Sequence, residues 1–240
     1  MDILDIIADT AHRPFELPAG AWQYYQEWND ALFLHWTIPC DVIRSCIPRA
    51  LNLDTFNGDA YVSLVAFTMQ KIRPRVLPAI GYVSEFDEIN LRTYINNDGK
   101  AGVYFLGIEA GKKLSAFIAR SLSGLPYESA SIARMKNKYT SINNRTGRYM
   151  DAEFELGQQL TEKTNLDKWL TERYCLYLDK GGELFRYDIH HKEWKINHVR
   201  IDHLSLNYSV GGVSLSNVAP RLTHYSEGVK VVAWGRRQLS

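Results

Sequence analysis

The chain has 240 residues, 28 basic and 27 acidic, for a formal net charge of +1, and these charges are spread rather than run together. That excludes the basic footprint that a polyanion requires, so no nucleic-acid partner is expected. Hydrophobic residues at 45% and charged residues at 23% are ordinary for a globular protein with a sizeable core, which confines expected disorder to the ends.

One domain spanning 1–240 is expected, because all-β barrels and sandwiches often reach this length as single units. Nowhere do about 18 apolar residues occur together, so no membrane span is expected. The start, Met1-Asp-Ile-Leu-Asp5, is acidic where a signal peptide would be basic, which points to the cytoplasm. Cys40, Cys46 and Cys175 are odd in number and match no zinc or disulfide spacing, so they read as reduced, mostly buried thiols.

In chain order, Asp2 to Ala11 predicts a short amphipathic helix stopped by His12-Arg-Pro14, within an N-terminal lead-in over 1–20. It belongs on the outside, as a lid or an oligomer contact. Trp22 to Pro39 predicts a first strand, with His35 inside the run, and Asp41 to Cys46 a helical turn or two. Asn57-Gly58 is a hairpin signal, followed by Ala60 to Phe67, a central strand apolar on both faces. Lys71 to Pro78 reads as a basic, proline-bounded loop.

The stretch that organises the rest begins at Phe86. Read with a period of two, it puts Ile89, Leu91 and Ile95 on one face and Glu88, Asn90, Arg92 and Tyr94 on the other. Such a polar row is either a solvent face or the lining of a polar pocket inside a barrel. Asn96-Asn-Asp-Gly99 predicts a turn, and Gly102 to Ile108 the returning strand, with Tyr104, Leu106 and Ile108 on one side and Val103 and Phe105 on the other. Leu114, Phe117, Ile118, Leu122 and Leu125 predict a helix with Arg120 near its end, capped by Gly124 and stopped by Pro126. Two or three strands follow through about Leu156. Thr164 then caps a short helix through Trp169 and Leu170, with Asp167 three residues on. Arg173 to Leu178 and Leu184 to Ile189 flank a Lys180-Gly-Gly182 turn, and His203 to Tyr208 and Val229 to Trp234 supply the last strands.

Leu32-Phe-Leu-His-Trp36, Leu53-Asp-Thr-Phe-Asn-Gly58, Glu88-Ile-Asn-Leu-Arg-Thr-Tyr94, Gly102-Val-Tyr-Phe105, Ala119-Arg120, Leu125-Pro-Tyr127 and Glu172-Arg-Tyr-Cys-Leu-Tyr177 occur in this order. Together they resemble the YqjF-like family of uncharacterised bacterial proteins, over most of the chain from Trp22 to Trp234. The resemblance implies an acetoacetate decarboxylase-like fold, a mainly β (α+β) protein built as an antiparallel β-barrel with an internal cavity and a few peripheral helices.

In the decarboxylases a Gly-x-Pro-Lys corner sends a lysine into the barrel, where it forms a Schiff base with a β-keto acid. Desolvation and a neighbouring cation lower the pKa of such a lysine. Here Tyr127 stands at the matching position and Glu128 follows it. A phenol forms no imine, so Schiff-base chemistry at this corner is not supported. Lys136 and Lys138 are the nearby alternatives, although lysines are mostly exposed.

Glu88 falls about where the decarboxylases carry a cavity glutamate. In the lumen, burial would raise its pKa towards that of a general acid or base; at the surface it would pair with Arg92. Arg92 and Arg120 are the expected anchors for an anion, with Arg73 and Arg75 weaker candidates. Tyr94 and Tyr127 are candidate donors to a developing oxyanion, and Asn90, Tyr104 and His35 are further candidate ligand contacts. His35, a lone histidine among core aromatics, reads more readily as a hydrogen-bonded core histidine. His190-His191, His198 and His203 lack zinc-like spacing, so no metal is expected, and the absence of a nucleophile elbow, P-loop or dinucleotide fingerprint leaves no expected cofactor.

The combined expectation is a barrel pocket for a small organic acid or carbonyl compound. Two uses of it stay open: a lyase- or isomerase-like enzyme without the Schiff-base lysine, or a non-catalytic binding or sensing module. Six tryptophans and 14 tyrosines leave room for an interface between copies, a homo-oligomer.

Overall fold

In the computed structural model, residues 3–79, 84–111, 125 and 127–239 are described. Period-two patterns become long strands wherever a glycine-compatible turn can reverse the chain. Between β3 (Phe86–Asn97) and β4 (Lys100–Ala110), Asp98 and Gly99 take φ of 52° and 72°. Two positive φ values match the twist of flanking strands, which is why an Asp-Gly pair makes this turn. Asn57 and Gly58 form the same kind of turn just before β2 (Ala60–Pro74).

The strands pair as β10 (Glu183–His191), β9 (Cys175–Lys180), β4, β3, β2, β1 (Tyr24–Ile38) and β14 (Leu222–Ala233). Strand β14 pairs again with β10, Ile189 opposite Ala233, and this closes the ring. The expected antiparallel barrel thus takes the form of a closed hydrogen-bonded ring in which only β4 and β9 run parallel. Closure leaves these seven strands no unpaired edge.

Beyond β14 the sheet continues through β11 (Asn197–Asn207), β8 (Arg148–Gln159), β7 (Lys138–Asn143) and β6 (Ser131–Met135). This extension packs on the outer face of the ring. Alternation along each strand therefore feeds two cores. Leu32, Leu34, Val62, Leu64, Ile89 and Leu91 point outward against Tyr139, Met150, Phe154 and Leu206. Phe33, Val65, Phe67, Met69, Phe86 and Ile108 point into the ring.

Among the described residues, three short helices stay outside the ring. In α1 (Ile3–Ala8), shorter than expected, Ile6 is buried against Tyr25, Val232 and Trp234. Helix α2 (Cys40–Cys46) follows β1, and α3 (Asn165–Thr171) starts at a capping box in which Thr164 and Asp167 bond each other's backbone N–H. No helix among the described residues is long and apolar enough to cross a membrane.

Several expectations need correction. Lys71 to Pro74 is the end of β2, kinked at Lys71 with φ 52°, rather than loop. Four strands, not two or three, occupy 127–159: β5 (Tyr127–Ser129), β6, β7 and β8. Of the cysteines only Cys175 is buried, and Cys40 is exposed. Strand β4 carries a bulge at Leu106, because Leu91 faces Gly107 while Arg92 faces Phe105. One extra residue inverts the facing beyond it. Phe105 therefore joins Ile108 on the lumen side, and Tyr104 and Leu106 face the outer core. The helix expected around Leu114 to Leu125, with Gly124, Pro126 and Arg120, lies outside the described residues apart from Leu125.

Candidate functional site

Strand register arranges the lumen in rows across β1, β2 and β3. Trp28, Met69 and Phe86 form one row; Phe33, Val65 and Asn90 lie deeper; His35, Ser63 and Arg92 lie deepest. Between the first two rows stand Phe67 and Glu88. The rows enclose a cavity of about 610 Å³. Its polar lining comes mainly from one strip of β3, the side chains of Glu88, Asn90 and Arg92, with Tyr127 added from β5.

Strand β5 pairs in parallel with β4, and that places Tyr127 beside Ile108, facing inward. Its hydroxyl donates to Glu88 Oε2 at 2.7 Å, while Asn90 Nδ2 donates to Oε1 at 3.0 Å. Glu88 is 3% exposed. Burial raises its pKa to about 7, against the opposing pull of Asn90, Tyr127 and Arg92. The Tyr127 phenol is pushed well above its ordinary value by burial and by Glu88, so it stays protonated and donates.

Arg92, four residues beyond Glu88 on the same face of β3, is also buried and sits over the Phe33 ring at 5.5 Å. Burial lowers its pKa, but a guanidinium starts so high that it remains a cation. Its Nε and the Asn90 Oδ1 have no hydrogen-bond partner among the described residues. Buried polar atoms are rarely left that way. The surface pairing of Glu88 with Arg92 does not occur: both carry their polar groups into the lumen.

Beneath Arg92 a buried chain of side chains closes the floor. The Tyr94 and Ser63 hydroxyls are 2.5 Å apart, Ser63 Oγ is 2.6 Å from His35 Nδ1, and His35 Nε2 is 3.1 Å from His224 Nδ1. His224 Nε2 donates to Asp167 Oδ1 at 2.9 Å. Burial, with His224 and Arg92 nearby, drives His35 well below its ordinary pKa, so its ring is neutral. Burial pushes Asp167 up, but bonds from His224 and Thr164 overcome it and hold the carboxyl at about 2.

His35 is thus the hydrogen-bonded core histidine and does not line the cavity. Tyr94 is committed to Ser63 and to the Leu170 carbonyl at 3.2 Å, which corrects its reading as an oxyanion donor. Tyr104 is half-buried on the outer side beyond the bulge, which removes it as a ligand contact.

Ser63 and His224 carry no signal in the sequence, and Asp167 shows there only as a cap. The capping box was the one available signal, because nothing in a sequence joins Asp167 to His224 across 57 residues. Arg73 gains standing: it lies at the cavity mouth, stacked over Trp22 and Tyr25, whereas Arg75 is exposed. Lys136 is exposed and Lys138 is bound to Glu153 and Asp151, so neither reaches the lumen. His190 and His191 are buried with pKa values lowered to about 4 by desolvation, bonded to the Ile6 and Lys192 carbonyls. Among the described residues no group of side chains could hold a metal ion. A more open cleft of about 710 Å³ lies between the N-terminal lead-in and α3, but none of the described candidate residues lines it.

Several known proteins share this architecture. Residues 25–230 match the family model DUF2071, described as an uncharacterised conserved protein. The YqjF protein of Bacillus subtilis is 36% identical over 233 residues, covering 93% of this chain and 96% of its own. Among solved structures, the enduracididine biosynthesis enzyme MppR complexed with pyruvate superposes with a TM-score of 0.59 at 11% identity, over 95% of this chain and 93% of that one. Acetoacetate decarboxylase from Legionella pneumophila gives 0.57 at 12% identity, over 96% and 95%. At such identities the two structures establish the fold alone, an acetoacetate decarboxylase-like one, whereas the family match and the 36% relative reach further: the chain belongs to the DUF2071, YqjF-like family.

Proposed function

We propose that the lumen binds a carboxylic acid bearing a carbonyl group and that Glu88 exchanges a proton with the carbon next to that carbonyl. The observation that carries this reading is a buried carboxyl poised at about pH 7 beside a buried guanidinium whose Nε is unpartnered among the described residues. A group that titrates near the working pH serves as both base and acid. A guanidinium fork suits the carboxylate and carbonyl oxygens of one small acid.

Glu88 and Arg92 are residues i and i+4 of one strand, about 13 Å apart along it, and their side chains reach into the lumen between, which leaves room for such an acid. In the proposed step the Glu88 carboxylate takes the α-proton. The C–H electron pair moves to form a carbon–carbon double bond, and the carbonyl π pair goes to oxygen as an enolate facing Arg92. Return of the proton restores the ketone. Tyr127 and Asn90 hold Glu88 in place; with its proton directed at Glu88, Tyr127 is a positioning residue. MppR, of like fold, has been solved with pyruvate, which supports testing this class of ligand first.

The test is proton NMR of pyruvate in D2O, in which the enzyme would exchange the methyl protons for deuterium. Exchange lost in Glu88→Gln with binding retained, and binding lost in Arg92→Gln, is the expected pattern. Binding without exchange in the native protein would support a non-catalytic binding module. That second reading is favoured by the lack of a lysine among the described lining residues. No binding at all would refute both.

A further inference from the structure

The lumen is far larger than its polar strip requires, and its polarity is graded along β3. Arg92 sits at the deep end and Phe86 six residues nearer the mouth, a rise of about 20 Å. Between these levels and around the ring the walls are Phe33, Phe67, Met69, Phe105, Ile189 and Trp194. Trp28 stacks on Trp194 at 6.2 Å between ring centroids and leans on Phe67 at 5.9 Å. Its indole Nε1–H is buried without a partner among the described residues. At the lip Leu77 and Val76 are 57% and 86% exposed.

A close-packed core does not keep a void of about 610 Å³, and apolar walls do not hold water well. Resting on the keto-acid reading above, we propose that the natural ligand is amphipathic, with its carboxylate and carbonyl at Arg92 and Glu88. A long alkyl or aryl body then lies along the lumen towards Trp28, Met69 and Phe86. In this arrangement Trp28 Nε1 donates to a single acceptor on the body of the ligand. The apolar walls, rather than the charged strip, select among acids.

Calorimetry with straight-chain α-keto acids from pyruvate to about ten carbons tests it. Affinity is expected to climb about fourfold per added methylene until the lumen is filled. Met69→Trp, which fills the upper lumen, is expected to cut the affinity for long acids at least tenfold and leave pyruvate unchanged. Ala233→Phe, also on the wall, serves if that variant fails to fold. Equal affinity for pyruvate and the long acids would overturn the amphipathic ligand while sparing the head-group site. Primary alcohols of matched length that bind as tightly as the acids would overturn the head-group reading and, with it, the ligand proposed here. If no acid of any length binds, both proposals fall.

Discussion

Glu88→Gln should change how stability depends on pH, and the size follows from the burial of the carboxyl. In the folded protein the group titrates at about 7, against an ordinary 4.5. A raised carboxyl pKa means the native state holds the proton more tightly than the unfolded chain. Stability is therefore greatest below the unfolded value and falls as pH rises from 4.5 to about 7, beyond which the loss is complete. At about 1.36 kcal/mol per pH unit, the ionised side chain costs the native state about 3 kcal/mol above that window, and under about 1 kcal/mol at pH 5. Glutamine is nearly isosteric and does not ionise, and its amide can pair with Asn90 once that side chain turns its unpartnered Oδ1 inward. Urea unfolding of both proteins from about pH 5 to 8 should show the variant gaining on the native protein by about 2 to 3 kcal/mol, or about 5–10 °C in Tm. Parallel curves across that range would refute the assignment of a buried, pKa-shifted carboxyl.

Three other perturbations probe neighbouring parts of the molecule. Tyr127→Phe removes a donor to the charged form of Glu88, a bond of the kind worth roughly 1.5–3 kcal/mol, so the inflection in the same pH series should move up by about one to two units; an unmoved inflection would deny that bond. His224→Ala strips the buried Asp167 carboxylate of its imidazole donor and should cost about 3 kcal/mol in urea unfolding, with keto-acid affinity retained because the relay ends below the cavity. Gly102→Ala drives a Cβ into the backbone carbonyl of Cys175 where β4 and β9 run side by side; a loss of about 3 kcal/mol or more is expected, and an unchanged melt would show that this pairing yields easily.

Local signals carried much of the architecture. The Asn57-Gly58 and Asp98-Gly99 pairs announce their turns because few other residues take two positive φ values in succession. The apolar run at Ala60 announces a strand covered on both faces. Ring closure was legible only through the family resemblance, since the pairing of Ile189 with Ala233 depends on seven strands acquiring the same twist and on no short-range pattern. The Leu106 bulge, which parts Tyr104 from Ile108 and leaves only Ile108 on the lumen side, was not legible. Glu88, Asn90 and Arg92 were legible as one face by alternation. The approach of Tyr127 to Glu88 across 39 residues came from the matched corner of a related fold, and its hydrogen bond is a tertiary fact.

Two buried carboxylates on one hairpin are held in different ways. Glu109 on β4 lies opposite Ile89, so it points outward when the neighbouring Glu88 points in. Glu109 is 1% exposed and fully engaged: Arg148 Nε reaches it at 3.0 Å, Asn143 Nδ2 at 2.6 Å, and the Tyr208 hydroxyl donates to its other oxygen. Arg148 also binds Glu128, the residue after Tyr127, and so ties β5 to the outer layer. A buried carboxylate held by a cation and several donors stays in one geometry. Glu88, equally buried, receives two neutral donors and is bonded by no cation among the described residues. Its charge is left incompletely compensated, which is why desolvation prevails and brings its titration close to neutrality. The outer network thus fixes the strand that presents Tyr127, and the inner group remains free to gain and lose a proton. Replacing Arg148 by methionine should loosen β5 and broaden the Glu88 titration while leaving in place the anion affinity proposed for Arg92. Loss of anion affinity together with the titration would show instead that the two networks form one unit.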